Sequence, residues 1–156
     1  MPNIKTILYC EDDPVIRLAY KKSLEQAGYH VMYAEDGLEG LKCLHRCVPD
    51  IVVLDLMMPK FSGEELLKFI CDDVRFHEIP LIILSNNPQV DEDYAAIAAR
   101  ADRHFLKYRC TPAALLTAIQ EIFAEVSRET DEVTPEDSDS LTLERLKRLV
   151  GSGPSS

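Results

Sequence analysis

Short apolar runs recur along the chain, and each is followed by a stretch with helical spacing. Residues 51–54 are only β-branched and aliphatic, which is typical of a strand buried on both faces of a parallel sheet. Similar runs cover residues 4–10, 81–84 and 104–106. Helical patterns cover residues 14–27, 37–47, 63–74, 90–101 and 112–126. This alternation predicts an α/β domain with a parallel sheet, right-handed crossovers and helices on both faces.

Polar and charged residues stand directly at the ends of the predicted strands. They are Glu11, Asp12, Asp13, Asp55, Ser85 and Lys107. Because the carboxyl ends of parallel strands meet at one edge, where such sheets bind their ligands, we expect these side chains to converge.

A group of this composition predicts phosphoryl chemistry. Carboxylates packed together repel one another and raise each other's pKa, unless a hard divalent cation such as Mg²⁺ offsets the charge. The open coordination positions of Mg²⁺ would take phosphoryl oxygens, and a carboxylate beside it could attack phosphorus. The product would be an aspartyl phosphate, with Lys107 and Ser85 holding the remaining oxygens.

These residues, in this order, resemble the receiver domain of the two-component response-regulator family. The resemblance runs from about Lys5 to about Val126 and includes Pro59 and Gly63 in the matching turn. It implies a flavodoxin-like (βα)₅ fold with a five-stranded parallel sheet in the order 2-1-3-4-5.

The resemblance also implies a role for each site residue. Asp55 would be the phospho-acceptor, and Lys107 and Ser85 would complete the catalytic set. Glu11, Asp12, Asp55 and the main-chain carbonyl of Met57 would hold Mg²⁺, with Glu11 acting through a water. Ser85 would also be the switch hydroxyl.

His104 stands where the family usually carries the tyrosine or phenylalanine that rotates inward on phosphorylation. One hypothesis is that His104 still reports the switch, with a response that depends on pH because an unperturbed histidine titrates near pH 6.5. The alternative is an exposed strand histidine with no signalling role. The sequence leaves both open.

Two further positions have alternative interpretations. Asp13 is expected to cap the following helix, with Pro14 in its first turn; if the register slipped by one residue, Asp12 and Asp13 would form the acidic pair. The family usually has a proline after the lysine, joined by a cis peptide, but Tyr108 follows Lys107 here. Because a cis bond without proline costs about 3 to 4 kcal/mol, a trans bond is favoured over a strained cis bond.

The resemblance implies a histidine kinase or phosphotransfer protein as phosphate donor. The chain would catalyse its own phosphorylation and slow autodephosphorylation without being an independent turnover enzyme. Phosphorylation would alter the surface around the fourth helix, fifth strand and fifth helix, which a downstream protein target or an absent output domain recognises. The same surface could pair two copies of the chain in a homodimer.

Three other functions compete with this one. A haloacid dehalogenase type phosphatase wants a second aspartate two residues after the nucleophile, where this chain has Met57. A flavodoxin type phosphate-binding module is disfavoured because the acidic run at residues 11–13 would repel a phosphate without metal. The serious alternative is a pseudo-receiver that binds proteins without phosphorylation, suggested by Tyr108 and His104.

Composition limits the partners and the cellular compartment that we expect for the protein. The net charge of -10 argues against direct nucleic-acid binding. The 5 cysteines are an odd number spread over strands, helices and a loop, and no signal peptide or apolar stretch of membrane-spanning length is present. We therefore expect a cytoplasmic protein with reduced thiols and no membrane insertion.

The predicted organisation has four parts. Residues 3–127 form the receiver domain, 128–140 an acidic linker, 141–150 a short amphipathic helix and 151–156 a flexible tail. The stretch 129–139 contains acidic residues and no basic one, which is typical of a solvated segment. A ten-residue helix is marginal alone in water, so 141–150 would dock on its own receiver, a twin or a partner, or would be a frayed tail or the start of a linker.

Overall fold

The protein is described by a computed structural model in which residues 3–58, 60–85 and 99–132 are placed. Its centre is a 5-stranded parallel sheet in the order β2-β1-β3-β4-β5. The strands are β1 (Thr6–Cys10), β2 (His30–Ala34), β3 (Ile51–Asp55), β4 (Leu81–Ser85) and β5 (Arg103–Leu106). The predicted flavodoxin-like sheet and its strand order are confirmed.

The register of the strands brings their carboxyl ends to one level. Cys10 pairs with Leu54, so Glu11 follows its strand beside Asp55. Asp55 in turn pairs with Leu84, the residue before Ser85. Ser85 pairs with Leu106, the residue before Lys107. The polar residues that end four strands therefore lie along one edge of the sheet.

Helices follow the strands, and polar residues fix their starts. They are α1 (Pro14–Gln26), α2 (Gly37–Arg46), α3 (Gly63–Asp72) and a 21-residue helix, Pro112–Glu132, called the long helix below. Side chains at Asp13, Asp36 and Ser62 accept backbone N–H groups of the first turns of α1, α2 and α3. The long helix continues beyond its predicted end at Val126, into the first residues of the predicted acidic linker.

The sheet is covered on both faces, as predicted. Side chains that alternate along the strands form one cluster with α2 and α3. It includes Leu8, Leu54, Ile83, Leu44, Leu66 and Ile70. On the opposite face, Tyr9 of β1 stacks on Tyr20 of α1. Both outer layers thus shield the central strands β3 and β4, whose residues are all buried.

Contacts divide the chain into two units. The first, Met1–Gln120, contains the whole sheet, α1 to α3 and the beginning of the long helix. Of the second, Glu121–Ser156, the structure describes the end of the long helix. The predicted helix 141–150, the tail 151–156 and most of the linker 128–140 lie outside the described residues.

Most of the predicted fourth helix, 90–101, also lies outside the described residues. Its described end is not helical, because residues 99 and 100 form a turn, so the prediction is wrong there. The predicted ends of the first three helices agree with the structure to within one or two residues. No described helix has the length and apolar character that crossing a bilayer requires.

Candidate functional site

Three carboxylates meet at the edge of the sheet. Glu11, Asp12 and Asp55 each offer an oxygen, and these atoms lie within 4.8 Å of one another. Glu11 and Asp55 are fully buried, whereas Asp12 is exposed. The cluster therefore has a buried floor and one side open to solvent, and these three of the residues at the strand ends converge as expected.

Lys107 bridges the two buried carboxylates. Its ammonium Nζ lies 2.7 Å from Glu11 Oε1 and 2.9 Å from Asp55 Oδ2. Asp55 Oδ1 accepts the backbone N–H of Met57 at 3.1 Å, so both oxygens of Asp55 are held. The side chain of Lys107 is only 14% exposed, which strengthens its attraction to both carboxylates.

One oxygen of this cluster lacks a hydrogen-bond donor. Glu11 Oε2 is buried and has no partner in the described part of the chain. A buried carboxylate oxygen is costly to leave unpaired, and a cation would satisfy it. Three carboxylates, one of them open to solvent, also match the oxygen ligands that Mg²⁺ prefers. The residues present thus fit a hard divalent cation.

A cavity of about 530 Å³ adjoins the exposed side of the cluster. It is lined by Asp12, Leu56, Met57, Met58, Ser62 and Glu64. The Met57 side chain points largely into solvent, with 65% of its surface exposed. A molecule in solvent can therefore approach Asp12 and the neighbouring loop from outside.

Burial and the contacts with Lys107 together shift the pKa values of Glu11, Asp55 and Lys107. It raises the pKa of Glu11 to about 7, since the bond from Lys107 offsets only part of the burial and the charge of Asp55 adds to it. Burial likewise raises the pKa of Asp55 against the opposing effect of Lys107. For Lys107, burial lowers the pKa, but the bonds to Glu11 and Asp55 outweigh it and the net shift is upward. Lys107 is therefore an ammonium at neutral pH.

Replacing Glu11 with glutamine is expected to change how stability depends on pH. The Glu11 pKa is about 7 in the folded protein and about 4.5 in the unfolded chain, so the unfolded chain binds fewer protons between these values. The folded wild type then loses stability as pH rises from about 4.5 to 7, by roughly 2 to 3 kcal/mol relative to Glu11→Gln. Urea unfolding at pH 5 and pH 8, with a chelator present, measures the difference.

Glu64→Gln is the control for this experiment. It removes a carboxylate that is exposed in the first turn of α3, so a constant small difference from wild type is expected at both pH values. A difference between wild type and Glu11→Gln that also stays constant would show that Glu11 is ionised in the fold throughout.

Asp13 caps α1, as expected. Its Oδ1 accepts the backbone N–H groups of Val15 at 2.9 Å and Ile16 at 3.3 Å. The acidic group is Glu11, Asp12 and Asp55, and Asp13 is outside it. The interpretation of Asp13 as a cap is confirmed, and the structure groups Glu11, not Asp13, with Asp12 and Asp55.

Ser85 and His104 contact one another. Ser85 is buried at the end of β4, and its Oγ lies 3.1 Å from Nε2 of the exposed His104 on β5. This hydrogen bond between Ser85 and His104 was not predicted from the sequence. The register of β4 and β5 is the signal that could have predicted this contact. Ile83 pairs with His104, and Ser85, two residues after Ile83, is on the same face of the sheet.

The peptide after Lys107 is trans, because no cis bond occurs among the described residues. Lys107–Arg109 form a single 3₁₀ turn, and Tyr108 is 67% exposed. The expectation of a trans bond is confirmed. Tyr20 had no predicted role, although its hydroxyl donates a hydrogen bond to the carbonyl of Cys110 at the end of this turn.

Comparisons with known proteins agree with this geometry. The family model of the response regulator receiver domain matches residues 7–120. Response regulator MprA of Mycobacterium leprae (strain TN) is 32% identical, over 94% of this chain and 64% of that protein. The chain thus spans less than two thirds of the length of this curated relative.

Solved receiver structures share the fold. A CheY-like response regulator receiver domain protein from Methanospirillum hungatei JF-1 has a TM-score of 0.72 and 26% identity, covering 81% of this chain and 99% of that chain. The N-terminal domain of a response regulator receiver protein from Methanoculleus marisnigri JR1 has a TM-score of 0.61 and 32% identity, covering 78% of this chain and 98% of that chain. This chain belongs to the response regulator receiver domain family.

Proposed function

We propose that the chain is a phosphorylation-dependent receiver in which Asp55 accepts a phosphoryl group from a histidine kinase or phosphotransfer protein. The observation that carries the proposal is the Lys107 ammonium, which bridges buried Asp55 and Glu11 beside an unpaired carboxylate oxygen. Glu11, Asp12, Asp55 and the main-chain carbonyl of Met57 would hold Mg²⁺.

Asp55 is oriented for attack on phosphorus. One of its oxygens forms the new bond to phosphorus while the bond from phosphorus to the donor nitrogen or oxygen breaks, and the leaving atom takes the electron pair. Lys107 and the Met57 N–H hold the two oxygens of Asp55 and so limit its rotation. Bound Mg²⁺ would supply positive charge to the phosphoryl oxygens during the transfer. Lys107 can move its ammonium onto the phosphoryl group once Asp55 is phosphorylated.

The contact between Ser85 and His104 supports the switch. If His104 Nε2 accepts the Ser85 hydroxyl, 3.1 Å away, that hydroxyl must leave His104 before it can donate to a phosphoryl group on Asp55. Phosphorylation shifts the population toward a form only by the contacts it makes better in that form. We therefore favour the hypothesis that His104 reports the switch over that of a strand histidine without a role.

The remaining parts of the proposal follow from this mechanism. The chain would catalyse its own phosphorylation and slow autodephosphorylation, in the cytoplasm, without turning over a separate substrate. A downstream protein or an output domain would recognise the phosphorylated form, and the chain itself would not contact nucleic acid.

The test is magnesium-dependent phosphorylation. The protein is incubated with acetyl phosphate, with Mg²⁺ or with a chelator, and its intact mass is measured. The mass of one phosphoryl group should be gained only with Mg²⁺ and should be absent in Asp55→Asn. Asp72→Asn, which changes an exposed carboxylate at the end of α3, is the matched control and should be phosphorylated like the wild type.

Two results would contradict the proposal. A folded wild type that gains no mass with Mg²⁺ would favour the pseudo-receiver, in which His104 and Tyr108 mark a protein-binding surface that needs no phosphate. A phosphoryl adduct that persists in Asp55→Asn would place the acceptor elsewhere.

A further inference from the structure

Tyr20 joins α1 to the turn that carries Lys107. We propose that Tyr20 is a positioning residue for Lys107: through its bond to Cys110 it sets where the lysine ammonium lies relative to Glu11 and Asp55. The consequence for phosphoryl transfer rests on the function proposed above, but the effect on Lys107 itself does not.

The hydroxyl of Tyr20 donates a buried hydrogen bond to the carbonyl of Cys110, a residue 90 positions away in the sequence. Cys110 closes the turn, because its backbone N–H donates to the carbonyl of Leu106 at 3.1 Å. Between these ends, Lys107–Arg109 form the 3₁₀ turn. The hydrogen bond from Tyr20 therefore holds Cys110, the residue at which the turn that carries Lys107 ends.

The other residues of the turn supply little anchoring by burial. Tyr108 and Arg109 are both exposed, and the guanidinium of Arg109 lies over the ring of Tyr108, 5.8 Å from its centroid. Cys110, in contrast, is buried. The turn has no proline to restrict its backbone, so its geometry depends on the bonds at its two ends.

Tyr20 is itself held from the sheet. Its ring stacks on Tyr9 of β1, with centroids 5.8 Å apart and planes inclined by 21°. Tyr9 precedes Glu11 by two residues, and Glu11 is bonded to Lys107. The contacts thus form a closed ring of residues. It runs from Glu11 through Tyr9, Tyr20 and Cys110 to Lys107, which contacts Glu11 again.

These contacts hold both ends of Lys107. The carboxylates hold its ammonium, and the Tyr20 bond holds its backbone. Burial raises the pKa of Tyr20, so its hydroxyl keeps its proton and remains a donor at neutral pH. Because misplacing a catalytic group by about 1 Å can slow a reaction by roughly 10²-fold, even a partial release of the turn should affect transfer.

The test compares two tyrosines of the same stack. Tyr20→Phe keeps the ring but removes the bond to Cys110. Tyr9→Phe is the matched control, because the Tyr9 hydroxyl is buried and has no hydrogen-bond partner in the described part of the chain. The first readout is the NMR resonance of the Lys107 side-chain ammonium, identified by its loss in Lys107→Met. It should shift or broaden in Tyr20→Phe and stay unchanged in Tyr9→Phe.

The second readout is phosphorylation by acetyl phosphate. The rate should fall about tenfold in Tyr20→Phe, while Mg²⁺ affinity should change by less than about twofold because the carboxylates are untouched. A purely structural role would change stability without moving the ammonium resonance. If the wild type is not phosphorylated at all, the proposed function fails, and the NMR comparison still decides the role of Tyr20.

An unchanged Lys107 resonance in folded Tyr20→Phe would overturn the proposal. An equal shift in Tyr9→Phe would also overturn it, since packing of the stack and not the bond to Cys110 would then control the lysine. If Tyr20→Phe does not fold, the double variant Tyr9→Phe/Tyr20→Phe is compared with Tyr9→Phe alone, because it also removes the unpaired buried hydroxyl of Tyr9.

Discussion

Lys107→Met is expected to destabilise the metal-free protein by about 3 to 5 kcal/mol at pH 8, the range for breaking a buried ion pair by removing one partner. Lys107 lies 2.7 Å from Glu11 and 2.9 Å from Asp55, and both carboxylates are fully buried. Without the ammonium, no cation lies between the two buried carboxyls, so each must either stay ionised at a high cost or take up a proton. Chemical unfolding in the presence of a chelator measures the loss.

Two conditions should restore much of the lost stability. Lowering the pH to 5 should do so because burial raises the pKa of Glu11 to about 7, so Glu11 takes up a proton and its charge no longer repels Asp55, whose pKa burial also raises. Adding Mg²⁺ at pH 8 should do so because it brings positive charge to the same cluster. Under the proposed function, phosphorylation by acetyl phosphate should still fall by about 10²-fold or more, because the ammonium that would stabilise the transferring phosphoryl group is gone.

Lys60→Met is the control for this prediction. Lys60 also pairs with an aspartate, Asp36, at 3.6 Å, but its side chain is 72% exposed. An exposed pair contributes about 1 kcal/mol or less, so its loss should be small and should not respond to Mg²⁺. If Lys107→Met costs no more than Lys60→Met, the ammonium does not hold the carboxylates together as the distances indicate.

The sheet edge could be predicted because the signals there are local. A run such as 51–54 is typical of a central strand, and a charged residue directly after such a strand lies at the strand end. Asp13 could be assigned as a cap because Pro14 follows it in the first helical turn. Matches of this kind depend on neighbours in the sequence, and the structure agrees with them.

Contacts between residues far apart in the sequence were harder to predict. The bond from Tyr20 to Cys110 joins residues 90 positions apart, and both residue types are common core residues that give no pattern. The Ser85 bond to His104 depends on strand register, which the strand order alone does not specify. The end of the long helix was missed for another reason: residues 127–132 are polar, and their pattern does not distinguish a solvated helix from a linker.

The sequence placed Gly63 in the matching turn and at the start of a predicted helix, but its role is steric. Gly63→Ala is expected to be among the most damaging small substitutions. A Cβ atom there would lie 2.3 Å from the carbonyl oxygen of Asp55 and 2.5 Å from the Cα of Leu56. Both are backbone atoms, so no side-chain rotation relieves the clash. Either α3 or the loop after β3 must move, at a cost of about 3 kcal/mol or more.

The displaced segment is the one that carries Asp55 and the Met57 N–H bonded to it. We therefore expect Gly63→Ala to lose activity beyond its loss of stability: at a temperature where the variant remains folded, phosphorylation by acetyl phosphate should fall by about tenfold or more, since small misplacements of reacting groups are costly. Thermal unfolding and intact mass after timed incubation measure the two effects separately.

Gly28→Ala separates steric from conformational effects. Gly28 has a φ of +98°, and a Cβ there would meet nothing within 4 Å. Its substitution should cost about 1 to 2 kcal/mol from the left-handed backbone and leave the phosphorylation rate unchanged, because Gly28 lies between α1 and β2, away from the loop after β3. If Gly63→Ala proves no worse than Gly28→Ala in both measurements, α3 and the loop after β3 can separate freely. The close approach of Gly63 to Asp55 would then have no part in holding the Asp55 side chain.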